Sequence, residues 1–289
     1  MMIEIGKVCT LFVAREVDFG VFLEDDRGES VLLHNNEMTE EVFVDDEVDV
    51  FVYLDKEGRL TATMKLPKVQ KGRYGWVDVV AEHGEHGVFV NIGLLKDVLV
   101  SNDDLPAWHS VWPEAGDRLF VSLKEDQMGR LLAKVATENI VASIARKAPK
   151  SMYNQKFVGT VYRCQKVGTY LISDEGYKAF VHYSERQEEP RLGQKVEGRV
   201  IDVKDDGTLN VSFLPRKEVK MDDDAEQIYS YLLQRGGQMP YTDKSTPEDI
   251  QDRFQLSKAS FKRALGRLMK EGKIEQKDGW TRVKENVNN

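Results

Sequence analysis

Three stretches of this chain repeat one pattern, which limits most of its length to a small unit that can recur end to end. The first copy runs Gly6-Lys7-Val8, Asp18-Phe19-Gly20-Val21-Phe22, Leu32-Leu33-His34 and then Tyr53-Leu54-Asp55-Lys56-Glu57-Gly58-Arg59-Leu60. The second centres on His86-Gly87-Val88-Phe89-Val90. The third runs Gly159-Thr160-Val161, Val167-Gly168-Thr169-Tyr170 and Phe180-Val181-His182-Tyr183-Ser184. Each copy alternates short β-branched or aromatic runs with Gly, Asp and Asn, the pattern of a small all-β unit with tight turns.

The first copy predicts five strands: Val8–Val13, Phe19–Leu23, Ser30–Leu33, Val48–Leu54 and Arg59–Met64, with Asp55-Lys56-Glu57-Gly58 as the last turn. The third repeats the order as Phe157–Cys164, Tyr170–Ser173, Ala179–His182, Lys195–Val203 and Thr208–Phe213, turning at Lys204-Asp205-Asp206-Gly207. Five strands of this length suit a Greek-key barrel of the oligonucleotide/oligosaccharide-binding (OB) kind. Leu66–Gly72 reads as a loop between the first two units. Ile140, Val141, Ile144 and Ala145 recur at helical spacing, so Thr137–Arg146 reads as a linker helix that stops before Pro149.

After Lys220 the period changes. Asp222-Asp223-Asp224 precedes Ala225, Ile228, Tyr229 and Leu232, so acids are expected at the N-terminus of an amphipathic helix ended by Gly236-Gly237. Thr246-Pro247-Glu248 opens a second, and Ser257 caps a third whose stripe is Phe261, Ala264, Leu265, Leu268 and Met269. Gly272 stops it, and Lys277-Asp278-Gly279 turns a hairpin. Three helices and a hairpin spell a winged helix. The fold class is therefore mainly β and multidomain: three five-stranded OB-fold barrels plus a C-terminal winged-helix domain. The expected units are 1–66, 67–150 with the linker helix, 151–217 and 218–289.

Charge divides unevenly along these units. The net −8 is concentrated in residues 1–66, which hold 6 basic against 16 acidic residues. Residues 67–150 and 218–289 are neutral and 151–217 carry +2. Non-specific nucleic-acid affinity is mainly phosphate neutralisation, so the later units are the better places for backbone contacts. Lys178, Arg186, Arg191 and the third helix of the last unit are the expected cations. Cys9 and Cys164 are too few and too far apart for a disulfide framework or a zinc site, and read as reduced thiols of a cytoplasmic protein. Met1–Lys7 has neither a basic n-region nor an apolar core, so no secretory signal is expected, and no run reaches membrane-span length.

The three repeats resemble the RNA-binding domain named for ribosomal protein S-one. Asp18-Phe19-Gly20-Val21-Phe22 is similar to that family's D-F-G-[AV]-F, and Leu33-His34 to its V-H. The resemblance implies Phe19 and Phe22 as base-stacking rings, His34 as their partner on the next strand, and Asp55 and Arg59 at the hairpin. In the second copy His86 replaces the first aromatic and Phe89 keeps the second. Val100 stands for the histidine there, while Asp126 and Arg130 keep the hairpin pair. In the third, Val167 replaces the first aromatic, Tyr170 and His182 are kept, and Lys204 and Thr208 replace the pair. Three such units followed by a winged helix resemble the bacterial conserved virulence factor B family over essentially the whole chain. That resemblance implies an RNA-binding protein of post-transcriptional control, with no cofactor and no catalytic residue.

Each candidate has a plainer alternative. Phe19 and Phe22 are three apart, so both face outward only if Gly20 allows a bulge or a tight entry; otherwise one or both fill the core. Phe89 and Tyr170 stand between the same readings. His34 and His182 are either base contacts or packed side chains. Asp55 and Arg59 either present a guanidinium to phosphate or simply close their hairpin. Lys258, Lys262, Arg263, Arg267 and Lys270 lie off the apolar stripe and form either a phosphate-binding face or a solvated one. Trp280 in the wing reads as half core and half contact surface. No P-loop, nucleophile elbow, zincin or Cys/His cluster is present, and His83-Gly84-Glu85-His86 lacks further ligands for a metal. The leading expectation is a binding protein for single-stranded RNA, with no membrane, small-molecule substrate or cofactor. Two others are carried: a DNA-binding regulator led by the winged helix, and a scaffold whose acidic first barrel binds a ribosomal component.

Overall fold

A computed structural model describes residues 2–55, 57–215 and 217–284, and of 217–222 the backbone. Lys56 of the first hairpin turn, the side chains of Lys220 and Asp222, and residues 285–289 of the last unit lie outside it. The described chain forms two compact units, divided between Phe213 and Leu214.

The first unit holds three closed five-stranded barrels. The first is built from β1 (Val8–Val17), β2 (Gly20–Glu24), β3 (Ser30–His34), β4 (Glu47–Leu54) and β5 (Leu60–Thr63). The second comprises β6 (Gly75–Glu82), β7 (Gly87–Asn91), β8 (Val98–Ser101), β9 (Arg118–Glu125) and β10 (Leu131–Val135). Helix α1 (Glu138–Ile144) follows. The third barrel is β11 (Lys156–Gln165), β12 (Gly168–Ile172), β13 (Lys178–His182), β14 (Lys195–Val203) and β15 (Leu209–Ser212). All three close in one order, first strand to second to third, then fifth, then fourth, back to the first. The pairing of third and fifth strands is parallel and the rest antiparallel.

The same glycine opens the second strand of every barrel. A Cβ on Gly20, Gly87 or Gly168 would run into the backbone carbonyl oxygen of Leu33, Val100 or Val181 on the neighbouring strand. Only glycine permits that approach, which is why the residue recurs. Of the bulge or tight entry expected at Gly20, the structure has the tight entry, and the bulge is elsewhere. The register slips across the pair, between Val13 and Arg15 of β1, and at the equivalent places in β6 and β11. Phe19 stands just outside β2, so the spacing of three needs no irregularity in that strand.

The barrels are packed on one another. Val48, Val50 and Val52 of β4 enter the first core, but Phe51 points the other way and is completely buried among Val69, Leu123 and other residues of the second barrel's core. Leu192 from the third barrel joins the same cluster. Phe120, Ala136, Val141, Tyr162 and Ile172 form a further cluster that seats α1 between barrels two and three. Ile144, expected on the packed stripe of that helix, is exposed, because the helix is only two turns long and ends there.

Polar contacts reinforce the seat of α1. The carboxylate of Glu138 accepts from Lys178 and from the hydroxyl of Tyr162 at 2.9 Å, with Arg163 3.8 Å away. Burial works to raise its pKa, but the hydrogen bonds from Lys178 and Tyr162 outweigh it and hold the carboxyl below the usual glutamate range. A depressed carboxylate contributes stability above its unfolded pKa and loses it as pH falls through the folded value. Glu138→Gln is therefore expected to cost about 1–2 kcal/mol near neutral pH. The difference from wild type should shrink in acid, which urea melts at pH 7 and pH 3 would measure; equal melts at pH 7 contradict the assignment.

The second unit contains α2 (Lys217–Gln234), β16 (Gln238–Met239), α3 (Pro247–Phe254), α4 (Lys258–Lys270), β17 (Ile274–Lys277) and β18 (Trp280–Val283). Thr246 and Ser257 cap α3 and α4 through their hydroxyls, at 3.2 Å to the Asp249 N–H and 3.1 Å to the Ser260 N–H. Ile228, Leu232, Ile250, Phe254, Phe261, Ala264, Leu265 and Leu268 make the core. Met269, read as part of that stripe, is 40 % exposed. The acids before Ala225 are not at a helix start: α2 begins at Lys217, and Asp224 is buried within it. The hairpin of β17 and β18 gains a third strand in β16, too short for its sequence to show alternation. Among the described residues no helix is long and apolar enough to cross a membrane.

Candidate nucleic-acid interface

Strand register places homologous side chains in one row across the outer face of each barrel. In the first barrel the row is Arg15, Phe22, Leu32 and Thr61 on β1, β2, β3 and β5. In the second it is Ala81, Phe89, Leu99 and Leu132. In the third it is Arg163, Tyr170, Phe180 and Asn210. Residues on either side of each ring point inward, so Phe22, Phe89 and Tyr170 are half-buried on the barrel wall and outside the barrel cores.

The rings have different surroundings. Arg15 lies over the Phe22 ring, its guanidinium carbon 3.9 Å from the centroid. Such a cation–π contact leaves one cationic group poised beside a stacking ring. Phe19, just before β2, is 49 % exposed. Phe89 packs against His83 at 5.0 Å between centroids, and His83 against His86 at 5.4 Å. No group of three His, Cys, Asp or Glu suited to a metal occurs among the described residues. Tyr170 touches Phe180 at 5.0 Å and joins the cluster around α1.

The histidines serve the backbone. Nδ1 of His34 accepts from the Asn36 N–H at 3.1 Å, and Nδ1 of His182 from the Ser184 N–H at 3.4 Å, each capping a short 3-10 turn. Both rings keep some exposure beyond that role. The second barrel's equivalent is Ser101, not Val100: Gly87 pairs with Ser101 as Gly20 pairs with His34 and Gly168 with His182. Ser101 Oγ accepts from the Asp103 N–H at 3.4 Å, the same cap by a shorter side chain. Sequence spacing missed this because Val100 faces the core, one residue out of register.

The hairpin pairs are built alike. Asp55 Oδ1 accepts from the N–H groups of Glu57 and Arg59, and Oδ2 from Arg59 Nε at 2.8 Å. Asp126 treats Met128 and Arg130 the same way, with Nε at 2.7 Å. Burial opposes ionisation of both aspartates, but the backbone N–H groups and the arginine outweigh it and hold both below the usual range. Each acid thus closes its hairpin, while Arg59 and Arg130 remain mostly exposed.

The cations expected on the third barrel are committed to protein partners. Lys178 holds Glu138, Arg186 is almost buried between Thr169 and Glu189, and Arg191 bridges to Asp117 and Glu114. In the winged helix, Lys258, Lys262, Arg263 and Lys270 are exposed along α4. Arg267 is half-buried and pairs with Glu271 at 2.8 Å, so it is less exposed than they are. Trp280 is 38 % exposed in the wing. The thiol of Cys164 is pushed up to about 12, chiefly by burial, and Cys9 is buried; neither is paired in a disulfide.

Tandem barrels with outward aromatic rows, joined to a winged helix, define a class of modular S1-type protein. The S1 domain profile matches residues 5–65, the first S1-like domain of CvfB residues 74–134, the second domain of virulence regulatory factor CvfB residues 141–215, and the CvfB-like winged helix residues 226–283. The chain is 50% identical over 276 residues to the uncharacterized protein YitL of Bacillus subtilis, covering 96% of this chain and 92% of that one. It is 40% identical to conserved virulence factor B of Staphylococcus epidermidis, covering 90% and 91%. A crystal structure of a multidomain protein with nucleic acid binding domains from Streptococcus pneumoniae aligns with a TM-score of 0.66 and 36% identity, over 96% of this chain and 98% of that chain. The chain belongs to the conserved virulence factor B family.

Proposed function

We propose that this protein binds single-stranded RNA through its tandem barrels and its winged helix and acts in post-transcriptional control of gene expression, as a binding protein without a catalytic step. The observation that carries the reading is the outward ring at one register in all three barrels, Phe22, Phe89 and Tyr170, each on a wall built by the same strand order. A ring on a strand face accepts any base, and several weak sites on one chain reinforce one another through effective concentration. The nucleic acid binding domains named for the Streptococcus pneumoniae structure, and the regulatory family, support the same reading.

Fluorescence anisotropy over a salt series compares single-stranded RNA, single-stranded DNA and duplex DNA of equal length. The RNA strand should bind tightest. Phe22→Ala should weaken it by about 1–3 kcal/mol with little change in salt slope, since stacking releases few counterions. Tighter binding of duplex DNA at every salt concentration would favour the second reading, a DNA-binding winged helix, for which the exposed cations of α4 speak. Binding to neither nucleic acid would favour the acidic first barrel as a protein-docking scaffold.

A further inference from the structure

The geometry points to a nucleobase subsite on the third barrel that the shared motif does not contain, centred on Phe180 and read by Asn210; it rests on the RNA-binding reading above. At the register of Phe180 the other two barrels carry Leu32 and Leu99, and at that of Asn210 they carry Thr61 and Leu132. Only the third row therefore places two rings side by side and ends on an amide. Phe180 alternates with the buried Ala179 and Val181, so its side chain belongs to the outer wall.

The rings continue beyond the row. Tyr170 and Phe180 are 5.0 Å apart between centroids, Phe180 and His182 6.3 Å, and His182 and Tyr183 4.3 Å. Tyr183 is exposed at the end of this track. A succession of rings along a wall takes successive bases of one strand. A cleft of about 350 Å³ opens beside Phe180, lined also by His182, Lys204 and Asn210. A second lies between Phe180, Tyr170 and Lys204.

Asn210 supplies the polar half. Its Nδ2 donates to Asp202 Oδ2 at 3.3 Å; a carboxylate only accepts, which orients the amide. Its Oδ1 meets no donor among the described residues. A buried acceptor without a partner is costly, and a rotation of the amide that turned Oδ1 into the cleft Asn210 lines would let the exocyclic amino or ring imino N–H of a base relieve it. Lys204 stands where the other barrels have Asp55 and Asp126, which exchanges a carboxylate for a phosphate-binding cation beside the ring track. These substitutions fall in the one repeat whose segment has a positive balance.

The test uses the full chain with labelled oligo(U), oligo(C) and oligo(A), and an abasic ribose-phosphate strand of the same length. Phe180→Leu and Asn210→Thr install residues around which the other barrels already close, so the fold is retained. Phe180→Leu should weaken the base-bearing strands about tenfold and leave the abasic strand unchanged. Asn210→Thr should compress the differences among the three homopolymers and leave the abasic strand unchanged. If unaltered protein binds RNA and Phe180→Leu binds every strand as well as it does, or weakens the abasic strand equally, the subsite is wrong and the wider reading stands. An unchanged base ranking in Asn210→Thr removes the reading role of Asn210. If the unaltered protein binds no RNA, the wider reading fails and the subsite with it.

Discussion

Replacing Lys258, Lys262, Arg263 and Lys270 together by glutamine is expected to flatten the salt dependence of RNA binding by about three units of slope in log affinity against log salt. These four are the exposed cations of α4, and Arg267 is left in place because it is paired with Glu271. Each phosphate contact on a single strand contributes about 0.7 to that slope, so four contribute about three. The affinity loss should accordingly reach two to three orders of magnitude near 0.1 M salt and vanish towards 1 M. None of the four packs in the core, so melting should be unchanged within about 0.5 kcal/mol. A variant with the wild-type slope would show that the face is merely solvated. Its contrast with Phe22→Ala separates the two modes of contact: one variant changes the slope, the other only the intercept.

Phe51→Ala is expected to destabilise the first unit by about 3–5 kcal/mol, the cost of emptying a fully buried phenylalanine site. Its ring lies among second-barrel residues although its strand belongs to the first barrel. The variant should therefore loosen the seam between them. Amide exchange would rise in β6 and β9 as well as in β4, where a lesion confined to one barrel would leave the second barrel protected. A loss below about 1 kcal/mol, or exchange confined to β4, would mean the two barrels fold independently. The seam matters for function because tandem sites gain affinity only when their spacing suits one strand.

Much of the architecture was legible because it is periodic. The glycine that opens each second strand, the turn acids and the alternation of β3, β8 and β13 repeat three times, and a repeat averages out local ambiguity. The caps Thr246 and Ser257 and the breaks at Gly236-Gly237 and Gly272 mark helix limits by local chemistry that needs no tertiary information. The start of α2 was hidden because three aspartates look like a helix start and nothing before them forbids helix.

What the sequence determined by itself was therefore the kind of unit, its number and its order, since backbone sterics and hydrophobic period are local properties of the chain. What only the tertiary structure decided was which side chains remain free. Lys178, Arg186 and Arg191 look as available in sequence as Lys258 or Lys262, yet their partners Glu138, Thr169 and Asp117 come from 17 to 74 residues away. Strand register likewise moved the histidine position from Val100 to Ser101 and set Phe180 beside Tyr170 and Asn210. Register and ion pairing are relations between distant segments, and their energies exist only once closure of the barrels has brought those segments together.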